Sequence, residues 1–354
     1  MPKHHASLTV LAGSLPSEAD GASSGLTALQ FAPTTGQLTQ HHHIPAPRFR
    51  ATSFLAAHPS LDVVYATHPV DPGTISAVTQ QREGALRPLG GPVRSGGVNP
   101  CHLSVHPNGR WLLTAHYGNG TVPGSVAVHR LDEAGFVRAL ADVAWHEGRG
   151  PVAERQENSH AHQIVVDPPG RFVLATDLGS DSVFAYRLDS RTGHLQQAAV
   201  SKLLPGTGPR HLVFSPHEEL VFTVDELSST VTSHRYDGRT GTLTPRSAVP
   251  SSTRAVPNQP GAIAVSPCGR YVWVSNRGAD TVAAFRVVGH ALRPISEVSC
   301  GGSWPRALTL AGNHLIVTNQ LSGTVAALRV RSSGALEEPR SSASVASAVC
   351  SLVI

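Results

Sequence analysis

One β-hairpin recurs along the chain, and this repeat constrains the fold more than any other feature of the sequence. In five copies the turn carries a proline: AAHPSLDVVYATH, SVHPNGRWLLTAH, VVDPPGRFVLATD, VFSPHEELVFTVD and AVSPCGRYVWVSN. A sixth copy, TLAGNHLIVTN, has leucine there. We call this position the anchor; the anchors are Pro59, Pro107, Pro168, Pro216, Pro267 and Leu310. They lie 48, 61, 48, 51 and 43 residues apart, a period typical of repeat architectures.

Each hairpin is followed by two further apolar segments. Third strands are predicted in SVFAYRLD, TVTSHRYD, TVAAFRVV and TVAALRVR, and looser fourth strands follow, for example at 194–200 and 291–298. Four short antiparallel strands every 40–50 residues form a propeller blade. The 33 glycines, the 27 prolines and a charged fraction of only 15% also favour many short strands.

The two ends of the chain supply one more blade. Six copies cover about residues 51–339, while 7–15 and 25–40 contain three strands and the C-terminal SASVASAVCSLVI contains a fourth. We therefore predict an all-β fold, a seven-bladed β-propeller in one domain spanning 1–354. Its ring is closed by a C-terminal strand that joins the N-terminal blade and leaves no exposed edge. A β-sandwich or two stacked β domains is the alternative.

Charge and cysteine content limit the partners and the compartment. The formal net charge is +4, but Lys3 and Lys202 are the only lysines and no Lys/Arg run occurs, which disfavours nucleic acid as a partner. No apolar run approaches the roughly 20 residues that span a bilayer, and the first 15 residues lack the apolar core of a signal peptide. Four cysteines without CxxC spacing indicate reduced thiols in a cytoplasmic protein. The sequence carries no signal for the oligomeric state.

Polar residues recur at fixed distances from the anchors. Nine residues after the anchors lie Asp177, Asp225, Asn276 and Asn319, which we interpret as acceptors for N–H groups of turns. First strands line a propeller channel, and their starts meet the ends of the second strands at one mouth. The residue six positions before each anchor and the residue ten positions after it therefore lie at the mouth. In the last copy, the residue six positions before the anchor is Trp304. Several polar side chains converge there: His102, His160, His162, Gln163, Arg210, His211, Glu226, Arg277 and Arg306.

Such convergence of an acid, several bases and cations from distant parts of the sequence is typical of a binding or catalytic site. The 61-residue interval also contains an insertion, residues 146–159, which precedes a first strand and so lies at the same mouth. A long loop in this place is either a functional loop or a surface elaboration.

Four segments resemble the lactonase family of seven-bladed propellers, which includes bacterial 6-phosphogluconolactonases and fungal carboxy-cis,cis-muconate cyclases. They are NPCHLSVHPNGRWLLTAHYGNG, RQENSHAHQIVVDPPGRFVLATDLGSD, GPRHLVFSPHEELVFTVDELSSTV and AIAVSPCGRYVWVSNRGADTV, and the resemblance covers nearly the whole chain. It implies a site of one His, two Arg and one Glu: His162 in HAHQ, Arg210 in GPRH, Glu226 in DELSS and Arg277 in SNRG. Where such proteins usually carry a second-strand end like VNE, this chain has ATHP at 66–69.

The resemblance implies a metal-independent lactonase that hydrolyses an anionic sugar lactone, such as 6-phosphogluconolactone, at the mouth of the channel. Glu226 or His162 would be the general base, and Arg210 and Arg277 would hold the substrate anion or the oxyanion. We expect His102, His160, Gln163, His211 and Arg306 to contact the substrate. No cofactor is expected, and a mouth rich in Arg and His disfavours a metal, since calcium needs several converging oxygens.

Two other functions are compatible with the same residues. The mouth could act in the opposite direction, as a muconate-cyclase-type cycloisomerase that forms a lactone from an unsaturated carboxylate. The propeller could also be a binding module without catalysis. Structural roles are the alternatives for single residues: an ion pair with Arg210 for Glu226, and hydrogen-bonded positions at strand starts for His102, His160 and His211.

Overall fold

The computed structural model describes residues 7–16, 25–45, 49, 51–80, 85–217 and 219–354. Seven antiparallel sheets of four strands, one of them with an additional short strand, make up the regular structure of these residues. The short apolar runs and the frequent turn residues produce strands of two to nine residues. The prediction of an all-β propeller with seven blades is confirmed.

Each sheet is one blade, and its strands follow the chain from the channel outward, except in the first blade. Blade 1 contains β1 (Leu8–Ser14), β2 (Gly25–Ala32) and β3 (Gln37–Pro45). Blade 2 contains β4 (Phe54–Ala57), β5 (Val63–His68), β6 (Thr74–Gln80), β7 (Leu86–Pro88) and β8 (Val93–Arg94). Blade 3 contains β9 (Pro100–Val105), β10 (Trp111–His116), β11 (Ser125–Leu131) and β12 (Val137–Trp145). Blade 4 contains β13 (Ala161–Val166), β14 (Val173–Asp177), β15 (Ser182–Leu188) and β16 (Leu195–Lys202).

The remaining blades follow the same order. Blade 5 contains β17 (Pro209–Phe214), β18 (Leu220–Asp225), β19 (Thr230–Asp237) and β20 (Thr242–Pro250). Blade 6 contains β21 (Gln259–Val265), β22 (Tyr271–Arg277), β23 (Thr281–Val288) and β24 (Ala291–Ser299). Blade 7 contains β25 (Pro305–Ala311), β26 (His314–Asn319), β27 (Thr324–Arg329) and β28 (Ser342–Ser344), and the chain ends with β29 (Ala348–Val353).

The C-terminal strand closes the ring. β29 pairs antiparallel with β1, where Val10 lies opposite Val353 and Ala12 opposite Ser351, so it becomes the innermost strand of blade 1. The innermost strands β29, β4, β9, β13, β17, β21 and β25 then contact one another in cyclic order. The predicted closure is confirmed, with one refinement: the first part of the C-terminal segment forms β28 in blade 7.

The period-two alternation of each strand holds neighbouring blades together. In β18, Val221 packs with Phe172 and Leu174 of blade 4, whereas Phe222 on the opposite face packs with Val274 of blade 6. Phe222 and Val221 are fully buried. Replacing such a phenylalanine by alanine costs about 3–5 kcal/mol in comparable cores. Burial on both faces fixes the strand register, and therefore also fixes the residues at the strand ends.

The turn after the anchor requires a left-handed residue. Gly109, Gly170 and Gly269, each two residues after an anchor proline, have φ values of 69, 72 and 67°. A side chain at this φ would be strained, which explains the PxG pattern of these turns. The turn lies at the end of the blade opposite to the mouth.

The polar positions nine residues after the anchors serve the scaffold. Asp177 accepts the N–H groups of His160 and Ser180, as predicted. The prediction is wrong for the other three. Asn276 and Asn319 donate through Nδ2 to the carbonyls of Ser251 and Cys300, because an amide also carries donors. The carboxylate of Asp225 instead accepts from the hydroxyls of Thr230 and Thr232.

Candidate functional site at the mouth of the channel

Four side chains reach the mouth because a β-bulge interrupts the start of the first strand. In blade 5, Pro209 lies opposite Asp225 and His211 opposite Val224, so Arg210 is left without a partner residue. His162, Cys101 and Arg306 occupy the same place in blades 4, 3 and 7. A bulged residue is released from the ladder and its side chain is directed away from the regular alternation. In blades 3, 4, 5 and 7 the bulge therefore directs one side chain towards the mouth.

Trp304 lies at the mouth as expected, with its ring centroid 5.7 Å from Cζ of Arg277, but the residue of blade 7 that is equivalent to Arg210 is a different one. Counting back from Leu310 gave Trp304, but the strand register gives Arg306, between the pairs Pro305–Asn319 and Ala307–Thr318. The turn of this hairpin is two residues shorter than in blade 5, so the count from the anchor shifts by two. Arg306 nevertheless lies at the mouth, as expected, and its Nη1 donates to Gln320 Oε1 at 3.1 Å.

Glu226 is the centre of a cluster of arginines. Arg277 Nη2 donates to Glu226 Oε2 at 2.6 Å, and Arg210 Nε lies 3.2 Å from the same oxygen. Arg155 Nη2 donates to the other oxygen, Oε1, at 2.5 Å. The carboxylate and the guanidinium groups of Arg210 and Arg277 are almost entirely buried. We call these four residues the arginine cluster.

Backbone carbonyls hold the two buried arginines in place. Arg277 Nε donates to Gln259 O at 2.8 Å and Arg210 Nη1 donates to Gly261 O, both at the start of β21. Burial raises the pKa of Glu226, but the charges of Arg277 and Arg210 outweigh it and hold that pKa well below its usual value. Burial and the neighbouring charge of Arg277 lower the pKa of Arg210. Glu226 is therefore ionised throughout the physiological range.

His162 lies beside this cluster as a neutral base. Burial lowers the pKa of His162 well below its usual value, and the positive charge of Arg210 lowers it further. Its Nδ1 has no hydrogen-bond partner within the described part of the chain. The ring packs edge-on against Tyr117 and His211, with centroid distances of 5.8 and 5.3 Å. The imidazole is therefore unprotonated, and its unpartnered nitrogen is available to a water molecule or a ligand.

The histidines deeper in the channel form an aromatic wall. His102 packs against Phe54 at a centroid distance of 3.9 Å and against His211 at 5.5 Å. Burial and the charge of Arg210 lower the pKa of His102 to about 3 and also lower that of His211 well below its usual value. Both rings are neutral, and their contact with substrate stays a prediction.

Two expected substrate contacts are engaged in the scaffold. Gln163 Oε1 accepts a hydrogen bond from the N–H of Leu212 at 2.6 Å and so links β13 to β17. His160 Nδ1 donates to the carbonyl of Tyr117 at 2.8 Å, its Nε2 lies 3.2 Å from Glu157 Oε1, and its ring stacks on Tyr117 at 4.2 Å. Their role towards substrate is a prediction that the geometry does not test.

Sequence reasoning missed Arg155. It lies in the 146–159 insertion, which has no counterpart in the repeat, so no register assigned it to the mouth. The fragment RQENSHAHQ that carried the family resemblance does contain this arginine. The proximity of the insertion to the mouth was the available signal, and the loop does reach the site.

The family model described as "Lactonase, 7-bladed beta-propeller" matches residues 9–353. The chain belongs to this family. The 6-phosphogluconolactonase of Bacillus subtilis (strain 168) is 31% identical to it over 265 residues, which are 72% of this chain and 73% of that protein.

Solved structures agree with this family. The periplasmic gluconolactonase of Pseudomonas aeruginosa superposes with a TM-score of 0.89 at 26% identity and covers 99% of both chains. A protein from Lactobacillus plantarum superposes with a TM-score of 0.89 at 28% identity and covers 99% of this chain and 100% of its own.

In this lactonase-family chain, the four residues implied by the resemblance lie together at the mouth. Arg210, Glu226 and Arg277 are in direct contact, and the charges of all three act on the pKa of His162. The ATHP segment belongs to blade 2, where His68 is buried with its ring edge-on to Phe49. Among the described residues, no group of three His, Cys, Asp or Glu side chains is arranged to hold a metal ion. The described residues also contain no helix long and apolar enough to cross a membrane.

Proposed function

We propose that this protein is a metal-independent lactonase that hydrolyses an anionic sugar lactone, with 6-phosphogluconolactone as the substrate, at the mouth of the channel. Two of the relatives named above are a 6-phosphogluconolactonase and a gluconolactonase, which supports lactone chemistry. The observation that carries the proposal is the arginine cluster next to a neutral His162. A lactonase needs a base for water and cations for the oxygen that becomes negative, and both are present here.

His162 is the general base in this proposal. Glu226 is the less suitable base, because arginines engage both of its carboxylate oxygens, whereas Nδ1 of His162 has no hydrogen-bond partner within the described residues. His162 is neutral and belongs to a different blade, so it is free to accept a proton while the arginine cluster stays intact. Glu226 then acts as a positioning residue that keeps Arg210 and Arg277 side by side.

The reaction follows from these roles. The imidazole of His162 takes a proton from water, and the water oxygen bonds to the lactone carbonyl carbon. Arg210 or Arg277 stabilises the oxyanion of the tetrahedral intermediate, a contribution of roughly 10²–10³ in rate for one well-placed donor. The bond between this carbon and the ring oxygen then breaks, and the imidazolium returns its proton to that oxygen. The product is the open-chain hydroxy acid.

The charge of the mouth supports metal independence. Arg155, Arg210, Arg277 and Arg306 lie around one carboxylate, that of Glu226, within the described residues. This arrangement repels a divalent cation and attracts an anion. Arginines supply the electrophilic stabilisation that a metal would provide in a metal-dependent hydrolase.

A coupled assay tests the proposal. The protein is mixed with freshly formed 6-phosphogluconolactone, and the acid product is followed through the reduction of NADP by 6-phosphogluconate dehydrogenase. We expect a rate well above spontaneous hydrolysis that is unchanged after dialysis against EDTA. A rate equal to the spontaneous one would contradict lactonase activity. In a second assay with a carboxymuconate as substrate, loss of its absorbance would indicate the cycloisomerase instead. Ligand binding without turnover in either assay would indicate a binding module.

Two further expectations stay predictions. A single domain over residues 1–354 and a cytoplasmic location are both compatible with the structure, in which all four cysteines are free. The P. aeruginosa relative is named a periplasmic protein, so fractionation of cells that express this chain is the measurement that decides.

A further inference from the structure

We propose that Arg155, on the 146–159 loop, is the specificity residue of this site: it binds the phosphate or other remote anionic group of the substrate. This inference rests on the proposed lactonase function and adds to it the group that selects charged over neutral lactones. It follows from the contact of Arg155 with Glu226, its exposure, and the way the loop is anchored.

The loop presents Arg155 from a fixed base. The neighbouring Gln156 is fully buried, and its Nε2 donates to Leu178 O at 2.8 Å and to Asp181 Oδ1 at 2.7 Å. The N–H of Arg155 donates to the carbonyl of Val152 at 2.9 Å and completes a turn. At the start of the loop, His146 Nδ1 donates to Asp177 Oδ2 at 2.7 Å in a fully buried pair. Only the side chain of Arg155 needs to move when a ligand binds.

Arg155 is the member of the arginine cluster that solvent reaches. Its side chain is 35% exposed, compared with 3% for Arg210 and 6% for Arg277. A ligand that enters the mouth therefore meets this guanidinium before the other two. The buried pair is held by carbonyls of β21, and in the proposed reaction it stabilises the oxyanion.

Exchange of partners is available to Arg155. Glu226 keeps the contacts with Arg210 and Arg277 on Oε2 when Arg155 leaves Oε1. Arg155 can then donate two parallel hydrogen bonds to a phosphate, a geometry that guanidinium favours. Tyr117 lies beside this position: burial raises the pKa of its hydroxyl, and the neighbouring Arg155 lowers it by a smaller amount. A protonated phenol is also a donor to a phosphate.

The charge balance selects a multiply charged anion. The arginine cluster holds three guanidinium groups against one carboxylate, and burial and then the nearby charge of Arg277 lower the pKa of Arg306. A lactone carries no charge of its own, so the excess positive charge matches a substituent such as a phosphate monoester.

The test compares two lactones that differ by this group. Initial rates are measured for 6-phosphogluconolactone and for glucono-δ-lactone with the wild type and with Arg155→Gln. We expect kcat/KM for the phosphorylated lactone to fall about 10- to 100-fold, mainly through KM, the loss expected for one hydrogen bond between charged groups. The value for the neutral lactone should change much less. Arg155→Lys should restore part of the preference, because it keeps the charge.

Arg149→Gln is the matched control, since Arg149 is an exposed arginine on the same loop and does not belong to the cluster. It should leave the ratio between the two substrates unchanged. Equal losses for both lactones in Arg155→Gln would show a structural or catalytic role and overturn the proposal. Unchanged rates for both lactones in Arg155→Gln would overturn it as well.

A binding measurement separates this proposal from the function on which it rests. Calorimetric titration compares 6-phosphogluconate with gluconate, which lacks the phosphate. Suppose that the wild type hydrolyses neither lactone but prefers 6-phosphogluconate, and that Arg155→Gln loses this preference. This result would contradict the lactonase and support the anion site. A wild type that hydrolyses lactones but binds both acids equally would support the lactonase and overturn the role of Arg155.

Discussion

Two successive positions of the repeat hairpin, nine and ten residues after the anchor, have opposite roles. At the ninth position, Asp177, Asn276 and Asn319 bond to the segment that leads into their own blade: to His146 Nδ1, Ser251 O and Cys300 O. At the tenth position, Glu226 and Arg277 bond to each other across blades 5 and 6, and Arg155 reaches Glu226 from the 146–159 loop. Glu226 and Arg277 are buried like the residues at the ninth position, so burial does not distinguish scaffold from site.

The difference lies in how the charges are paired. Asp177 and His146 form a closed pair, and neither side chain is exposed. Glu226 instead faces an excess of cations, one of which meets solvent. A buried charge pair contributes little net stability. A cluster at a channel mouth whose positive charges are not all compensated can still attract an anionic ligand. A repeat therefore separates structure from function by a single residue.

The largest expected effect concerns the two buried histidines of blade 4 and its loop. His162→Gln removes the proposed base and should lower kcat by about 10²–10⁴, the usual contribution of general base catalysis. His146→Gln alters the scaffold pair and should lower stability while a folded molecule keeps its turnover. Rates per folded protein, with folding checked by circular dichroism, are the measurement. Equal losses in the two variants would remove the distinction between site and scaffold.

Glu226→Gln should affect both activity and stability. It leaves buried arginines without their counter-charge, which costs about 3–5 kcal/mol in comparable buried pairs. Lactonase activity should fall about 100-fold, because Arg210 and Arg277 lose their common partner and their alignment.

The double variant Glu226→Gln/Arg210→Met sharpens this prediction, since partners in one cluster are not additive. In chemical denaturation, the loss in free energy of unfolding should be smaller for the double variant than the sum of the losses for the two single variants. Full turnover with an unchanged KM in both single variants, Glu226→Gln and Arg210→Met, would contradict the assigned roles. Additive losses of stability would contradict the coupling between the two residues.

Asp177→Asn should lower stability by about 1–3 kcal/mol, the cost of weakening a buried hydrogen-bonded charge, and leave the specificity intact. Burial raises the pKa of Asp177, but the hydrogen bond and charge of His146 outweigh it, so the net shift is downward. A carboxyl whose folded pKa lies below its unfolded value stabilises the fold above that unfolded value, about 3.9, and loses this contribution as pH falls through the folded pKa. The gap between wild type and Asp177→Asn in urea unfolding should therefore be constant near neutral pH and narrow below about pH 4.

The smallest effect is expected in the pH profile. The active form of His162 is neutral, and its pKa lies well below the usual value of about 6.5. For a neutral lactone, whose own charge does not titrate, kcat/KM should stay flat from pH 8 to pH 6 after subtraction of spontaneous hydrolysis. The acid limb should appear only well below the usual histidine pKa of about 6.5. An acid limb near 6.5 would show a histidine in ordinary surroundings and contradict the buried, arginine-neighboured base.

The repeat made most of the fold predictable. Turn prolines and alternating apolar residues fix the hairpins, and a missing first strand in blade 1 implies the closure by β29. All four expected catalytic residues, His162, Arg210, Glu226 and Arg277, could be placed at one mouth, because burial on both faces of the strands makes the register strict. What the pattern could not show is local. The shorter turn of blade 7 shifted the count from Leu310, and the bulges that release His162 and Arg210 leave no mark in composition.

Arg155 illustrates the other limit. A residue in an insertion has no equivalent in the other blades, so its position depends on the anchoring of that loop by Gln156 and His146. These contacts join residues 25 and 31 positions apart in the chain, and no periodicity predicts them.

The bulge at the start of the first strands has a consequence for how such a ring changes over time. The bulged residue makes no ladder pair, so its side chain can be exchanged while the blade keeps its hydrogen bonds. The same place holds a thiol in blade 3, an imidazole in blade 4 and guanidinium groups in blades 5 and 7. The chemistry of the mouth can therefore evolve independently of the fold. A new reaction requires a substitution at one of a few bulged positions, and the surrounding blades stay unchanged.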